Sequence, residues 1–65
     1  MAIKVTQAVY DGITAVRDSG ATNMLARDVV SDLCESMGFY EAGQWIREHK
    51  REYAEGVFLG FEAEK

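Results

Sequence analysis

The sequence predicts an all-α domain, a compact bundle of three to four short helices. Three observations carry that expectation. Apolar side chains recur at three- and four-residue steps along most of the chain, which is the period of one helix face. Two glycine-centred breaks, Ser19-Gly20-Ala21-Thr22-Asn23-Met24 and Met37-Gly38-Phe39-Tyr40-Glu41, cut that pattern into segments. No stretch shows the sustained two-residue alternation of a strand, and the chain contains no proline.

The first helix is expected over about residues 5–19, where Val5, Val9, Ile13 and Val16 form one stripe. Ala8, Gly12 and Ala15 lie beside it as a strip of small side chains. Gly12 costs about 1 kcal/mol relative to alanine inside a helix, so a close approach by another element is the expected return. Arg17 suits the negative end of the helix dipole, and Gly20 can take the left-handed conformation that closes a helix. Thr22 and Asn23 are good capping residues, but the next apolar period starts later, with Val29, Val30, Leu33, Cys34 and Met37. This predicts a short turn near residues 23–25 and a second helix over about 26–37, closed by Gly38.

A third pattern runs through Ala42, Trp45, Ile46, His49 and Tyr53, and continues to Val57, Phe58 and Phe61. With no proline to force a break, this pattern fits a single helix of about twenty residues or, as the favoured expectation, two helices at about 40–49 and 51–61, divided by a bend near residues 49–51 that lets the second fold back on the core. Residues 62–65 carry no apolar period and are expected to fray. Met24, Met37, Phe39 and Tyr40 are expected to anchor the corners into one core, with any exposed part of Tyr40 the place where function would touch them.

Composition narrows the functional classes. A chain of 65 residues makes one domain, and at this size folding buries only about 60% of the unfolded surface, so association would add stability. Cys34 is the single cysteine, which rules out an internal disulfide and fits a reducing cytoplasm. There is no apolar run long enough for a signal peptide or a membrane span. A formal charge of -4 and a pI near 4.8 oppose approach to phosphate backbones and anionic membranes. Proteins are therefore the expected partners, with a second copy of this chain among them.

The residues that could carry chemistry have blander roles. A Cys34 thiolate with His49 as its base would make a nucleophile, but both fall on apolar faces, where cysteine behaves as a small hydrophobe and histidine takes a hydrogen-bond partner. One histidine and one cysteine make a poor metal site, and Glu48, Glu52 and Glu55 read as a solvated face. Ser19-Gly20-Ala21-Thr22 lacks the second glycine and lysine of a phosphate loop. No enzyme, cofactor or metal is expected. Gly56 and Gly60 form a small-xxx-small spacing that permits close packing.

The second and third helices with the turn between them invite comparison with a helix-turn-helix. Cys34, Gly38 and Phe39 fit its turn, but Gln44 stands where the second helix should present an apolar residue, with Gly43 before it. Arg47, Lys50 and Arg51 are the candidate phosphate contacts, interleaved with Glu48, Glu52 and Glu55. Met37-Gly38-Phe39 is also similar to the loop of ubiquitin-associated domains, which are three-helix bundles. That likeness covers three residues, and a helix cap followed by an aromatic anchor accounts for it.

A longer likeness runs from Val16 to Tyr53. Val16-Arg17-Asp18-Ser19-Gly20-Ala21-Thr22-Asn23-Met24, then Met37-Gly38-Phe39-Tyr40-Glu41, then Glu48-His49-Lys50-Arg51-Glu52-Tyr53 resembles a family of small uncharacterised phage and prophage proteins. Its pattern is R-x-[ST]-G-x-T-N-M, then M-G-F-Y-E, then E-H-[RK]-[KR]-E-Y, at the same intervals. The chain departs from it at Gly43 and Gln44, where larger apolar residues are expected, and at Ala26, near a helix-capping aspartate. The resemblance implies a compact helical fold and a phage origin, hence the cytoplasm of a bacterial host, and supplies no active site.

The expected function is protein binding by a non-catalytic phage-encoded accessory protein, toward a host or defence factor, with a small DNA-binding regulator as the alternative. The motive is a surplus of large apolar groups near the C-terminal end. Tyr40, Trp45, Tyr53, Val57, Phe58 and Phe61 are the candidate interface, either to a partner or to a second copy in a homodimer; Leu59 adds to the surplus.

Overall fold

The computed structural model describes residues 2–64. The order of elements is β1 (Ile3–Val5), α1 (Gln7–Ser19), α2 (Arg27–Ser36), α3 (Tyr40–Glu48), α4 (Lys50–Leu59) and β2 (Phe61–Ala63). The molecule is mostly helical, but a two-stranded parallel sheet joins its two ends, with Ile3 opposite Phe61, Lys4 opposite Glu62 and Val5 opposite Ala63. The all-α expectation is corrected to this extent.

The sheet also corrects both ends of the predicted helical pattern. Val5 stands four residues before Val9 and shares its stripe, yet it belongs to β1. Helix α1 begins two residues later because Thr6 is extended and its hydroxyl accepts the Val9 N–H at 3.3 Å. The same hydroxyl donates to Glu41 Oε2 at 2.7 Å, tying the start of α1 to the start of α3. At the other end, Glu62 and Ala63 are paired rather than frayed, and the Glu64 N–H donates to the Val5 carbonyl at 2.7 Å. Lys65, the last residue of the expected tail, lies outside the described residues.

Both glycine breaks end helices as their sequence implies. Gly20 sits in the left-handed region at φ 64°, and its N–H donates to the Arg17 carbonyl. At Gly38, φ is 91°, and the Phe39 N–H reaches back to the Cys34 carbonyl at 2.7 Å. Between α1 and α2 the Asn23 side chain accepts the Leu25 N–H at 2.8 Å, forming the short turn expected there. Ala26 gives α2 no side-chain cap.

The core gathers Val5, Val9, Ile13, Val16, Val30, Cys34, Ala42, Ile46 and Tyr53. Met24 and Phe39 pack against it as corner anchors, whereas Met37 and Tyr40 are exposed and do not. Val29, placed on the inner stripe by its spacing, is exposed too. The close approach foreseen at Gly12 is present. A Cβ there would collide with the Ala42 Cβ and lie 2.9 Å from the Phe39 Cβ.

The pattern from Tyr40 onward is broken at His49, whose backbone (φ -122°, ψ 58°) is non-helical. Its N–H still donates to the Trp45 carbonyl, its own carbonyl accepts the Tyr53 N–H, and its ring stacks on Trp45 at 4.8 Å. With both backbone groups satisfied, the bend needs no proline.

Candidate functional site

The six apolar side chains of the expected interface do not share one environment. Tyr40, in the first turn of α3, is 70% exposed, and Phe58, in the last turn of α4, is 77% exposed. Leu59 beside Phe58 is exposed as well. Trp45, Val57 and Phe61 are half-buried and rest against the core. Tyr53 is buried, with 1% of its surface accessible, and offers nothing to a partner in this conformation.

Tyr53 instead organises the C-terminal part of the core. Its hydroxyl donates to the Met24 carbonyl at 2.5 Å, pinning α4 to the turn before α2. Its ring meets Phe61 at 5.8 Å, and Trp45 meets the same Phe61 ring edge-on at 6.2 Å. The Phe61 ring occupies the place where a side chain at Gly56 would project. Gly56 is therefore the socket for the first residue of β2, a specific form of the close packing its spacing suggested. An apolar cavity of about 90 Å³ remains among Ile13, Arg17, Met24, Val57 and Phe61.

Leu25, Val29 and Met37 are exposed outside the expected set. Spacing alone did not reveal them, because Val29 and Met37 read as members of the α2 stripe. Their outward position follows from the path of α2 against α1 and α3. Leu25 and Val29 flank an open surface depression of about 400 Å³ around the N-terminus of α2.

The candidate phosphate contacts also separate. Arg47 is committed within the molecule, forking onto Glu35 at 2.5 and 2.6 Å and reaching Asp32 at 3.4 Å. The hydrogen bond from Arg47 holds the Glu35 carboxyl below its ordinary pKa and, with Asp32, raises Arg47 above its own. Lys50 and Arg51 begin α4, are exposed, and join no ion pair among the described residues.

Cys34 is fully buried, and burial, aided by Glu35, pushes its thiol up to about 11. A thiol in that state is protonated near neutral pH and is a poor nucleophile. His49 spends Nδ1 on the Trp45 carbonyl at 3.0 Å. Among the described residues, no three His, Cys, Asp or Glu side chains are grouped to hold a metal ion, and no helix is long and apolar enough to cross a membrane.

The architecture defines a small helical domain, closed by one parallel strand pair, that carries large aromatic side chains on its surface. A family model described as a domain of unknown function (DUF5049) matches residues 5–60, and the chain belongs to that family. No curated protein and no solved structure matches the chain. The matched span covers all four helices and leaves β2 beyond its end.

Proposed function

We propose that the protein is a non-catalytic binding module whose exposed aromatic side chains contact another protein. One observation carries this reading: Phe58 is 77% exposed while the core a few residues away is closed. A large apolar side chain held in water on an ordered helix gains about 1.5–3 kcal/mol when a partner covers it. Leu59 beside it and Tyr40 on α3 add further exposed apolar surface. The sequence pattern from Val16 to Tyr53 supports an origin in phage or prophage, which places the partner among proteins of the bacterial cytoplasm, such as a host or defence factor.

A second copy of the chain is the competing occupant. Sedimentation at tens of micromolar separates the two. Wild-type protein is expected to sediment as a monomer and to retain a host protein on an affinity column, while Phe58→Glu folds but loses that protein. A dimer that dissociates on Phe58→Glu would assign the surface to self-association. Equal retention by wild type and Phe58→Glu would remove the aromatic surface from the function.

A DNA-binding regulator is the alternative reading. It is supported by the tight connection between α2 and α3 and by the exposed Lys50 and Arg51, which join no ion pair among the described residues. The engagement of Arg47 with Glu35 and Asp32 weakens it, because contacting a phosphate would require breaking that pair. Gel shifts in low salt test it where screening is least, and failure to bind there leaves it without support.

A further inference from the structure

The sheet has two strands, so each strand has one edge with no hydrogen-bonded neighbour strand among the described residues. In a parallel pair, alternate residues of each strand turn both backbone groups toward the partner strand. The Ile3 N–H donates to the Gly60 carbonyl, and the Glu64 N–H donates to the Val5 carbonyl. By that alternation Glu62 faces β1, and the N–H and C=O groups of Phe61 and Ala63 face away from it. No backbone hydrogen bond among the described residues outside the strand pair uses the N–H of Phe61 or of Ala63. Parallel sheets are ordinarily covered and larger than two strands, so a lone parallel pair is an incomplete sheet.

Resting on the protein-binding reading, we infer that the outer edge of β2 receives an extended, basic segment of a partner protein as a third strand. The occupant follows from the side chains. On one face of β2, Phe61 and Ala63 are half-buried toward the core; on the other, Glu62 and Glu64 are exposed. An added strand with small apolar residues on the inner face and Lys or Arg on the outer face sets cations directly across from the two glutamates. Lys4 already stands beside Glu62 in register on the β1 side, so the outer face would alternate in charge across three strands.

A second copy fits this edge poorly. Antiparallel pairing of two β2 strands about Glu62 puts the two Glu62 side chains opposite one another, and like charges directly opposite are destabilising. Each chain also carries a net charge of -4. Strand addition by a partner draws its affinity from the main chain and its selectivity from alternate side chains. The edge thus selects by charge alternation, whereas the exposed aromatics of α3 and α4 select by apolar contact.

The test uses the full chain, isotope-labelled for NMR, and two capped peptides: one alternating valine and lysine, the other valine and glutamate. The lysine peptide is expected to shift the Phe61 and Ala63 amides, to slow their hydrogen exchange by about tenfold or more, and to weaken as salt rises. Ala63→Pro removes one outward N–H and leaves the bonds to β1 in place, since proline is tolerated where a strand N–H faces outward. It is expected to weaken binding at least tenfold while the Glu64 amide stays protected. The proposal is overturned if millimolar lysine peptide leaves both amides unmoved, if the glutamate peptide binds as well, or if Ala63→Pro keeps its inward protection and binds undiminished. Concentration-dependent shifts at Phe61 and Ala63 without peptide would assign the edge to self-association and also overturn it. A host protein lost by Phe58→Glu but retained by Ala63→Pro rejects the edge while leaving the protein-binding reading intact.

Discussion

The α2–α3 corner and the α4–β2 end use their apolar residues in opposite ways. At the corner Val30, Cys34, Ala42 and Ile46 are all fully buried. The helices come close enough there that a Cβ on Gly43 would stand 2.6 Å from Glu35 Cγ and 3.0 Å from the Ser31 carbonyl. The buried Ser31 hydroxyl donates to the Gly43 carbonyl at 2.8 Å, so close contact comes with its polar atoms satisfied. At the other end only Tyr53 and Gly56 of α4 are buried, Phe61 is half-covered, and Phe58 and Leu59 point to solvent. The inner face of the corner, built largely from small residues, buries all it has, while Met37 and Tyr40 at its tip and Val29 on α2 stay exposed. An end built from large aromatics on a ten-residue helix cannot, and the excess becomes surface.

This contrast predicts a graded set of responses. Tyr53→Ala should be the most damaging, because it removes the one large ring that joins α4 to the core and leaves the Met24 carbonyl without its donor. A loss of about 4 kcal/mol in urea unfolding is expected, enough to unfold a marginal domain. Tyr53→Phe keeps the ring and should lose about 1 kcal/mol.

Gly12→Ala comes next. Helix propensity alone favours alanine by about 1 kcal/mol, but the added methyl meets the Ala42 Cβ and the Phe39 Cβ, which are fixed to backbone. A net destabilisation of about 2 kcal/mol in the urea midpoint is expected from overpacking. A neutral or stabilising result would show that the α1–α3 contact is looser than the corner beside it. Gly56→Ala makes the reciprocal test at the other end. It should displace the Phe61 ring and speed hydrogen exchange at Glu62 and Glu64 while amides of α2 and α3 keep their protection.

Alkali provides a probe of burial at both ends. The Cys34 thiol is raised from 9.0 to about 11 and the Tyr53 phenol from 10.0 to about 12, each chiefly by burial. Both groups ionise more readily in the unfolded chain. Their contribution is therefore complete below pH 9 and declines as pH rises through 11 for Cys34, then through 12 for Tyr53. Urea midpoints measured across that range should fall, and Cys34→Ala should remove the lower step. Glu35 works in the opposite direction: its lowered carboxyl contributes above the ordinary 4.5 and is lost as pH falls below it.

The smallest expected effect on stability belongs to Phe58→Glu. An exposed position away from caps and core shifts stability by about 0.5 kcal/mol or less. If it instead costs as much as Gly12→Ala, Phe58 is covered in the working molecule and the contrast between the two ends disappears.

The helical core was legible because its cues are local. Val9, Ile13 and Val16 are set by a period of 3.6, and Gly20 and Gly38 take left-handed conformations that few other residues tolerate. The sequence favoured a bend near His49 but left one long helix open, because without proline no local cue forces a break. The candidate surface was less legible. Phe58 is exposed, while Tyr53, grouped with it in the expected interface, is an internal residue, and Val29 and Met37 look outward despite their place on an apolar stripe.

By itself the sequence determined the breaks at Gly20 and Gly38 and the apolar period between them, since glycine conformation and helical spacing act within a few residues. It also determined the acidic charge and the solitary thiol. Only the tertiary structure decided that Ile3–Val5 and Phe61–Ala63 are strands. Three residues are too few to display a period, and a parallel pair between the two ends of a chain exists only once the helices have carried those ends together. The same assembly decided which aromatics are spent on the core and which remain for a partner, because burial belongs to the packed arrangement and not to any one helix.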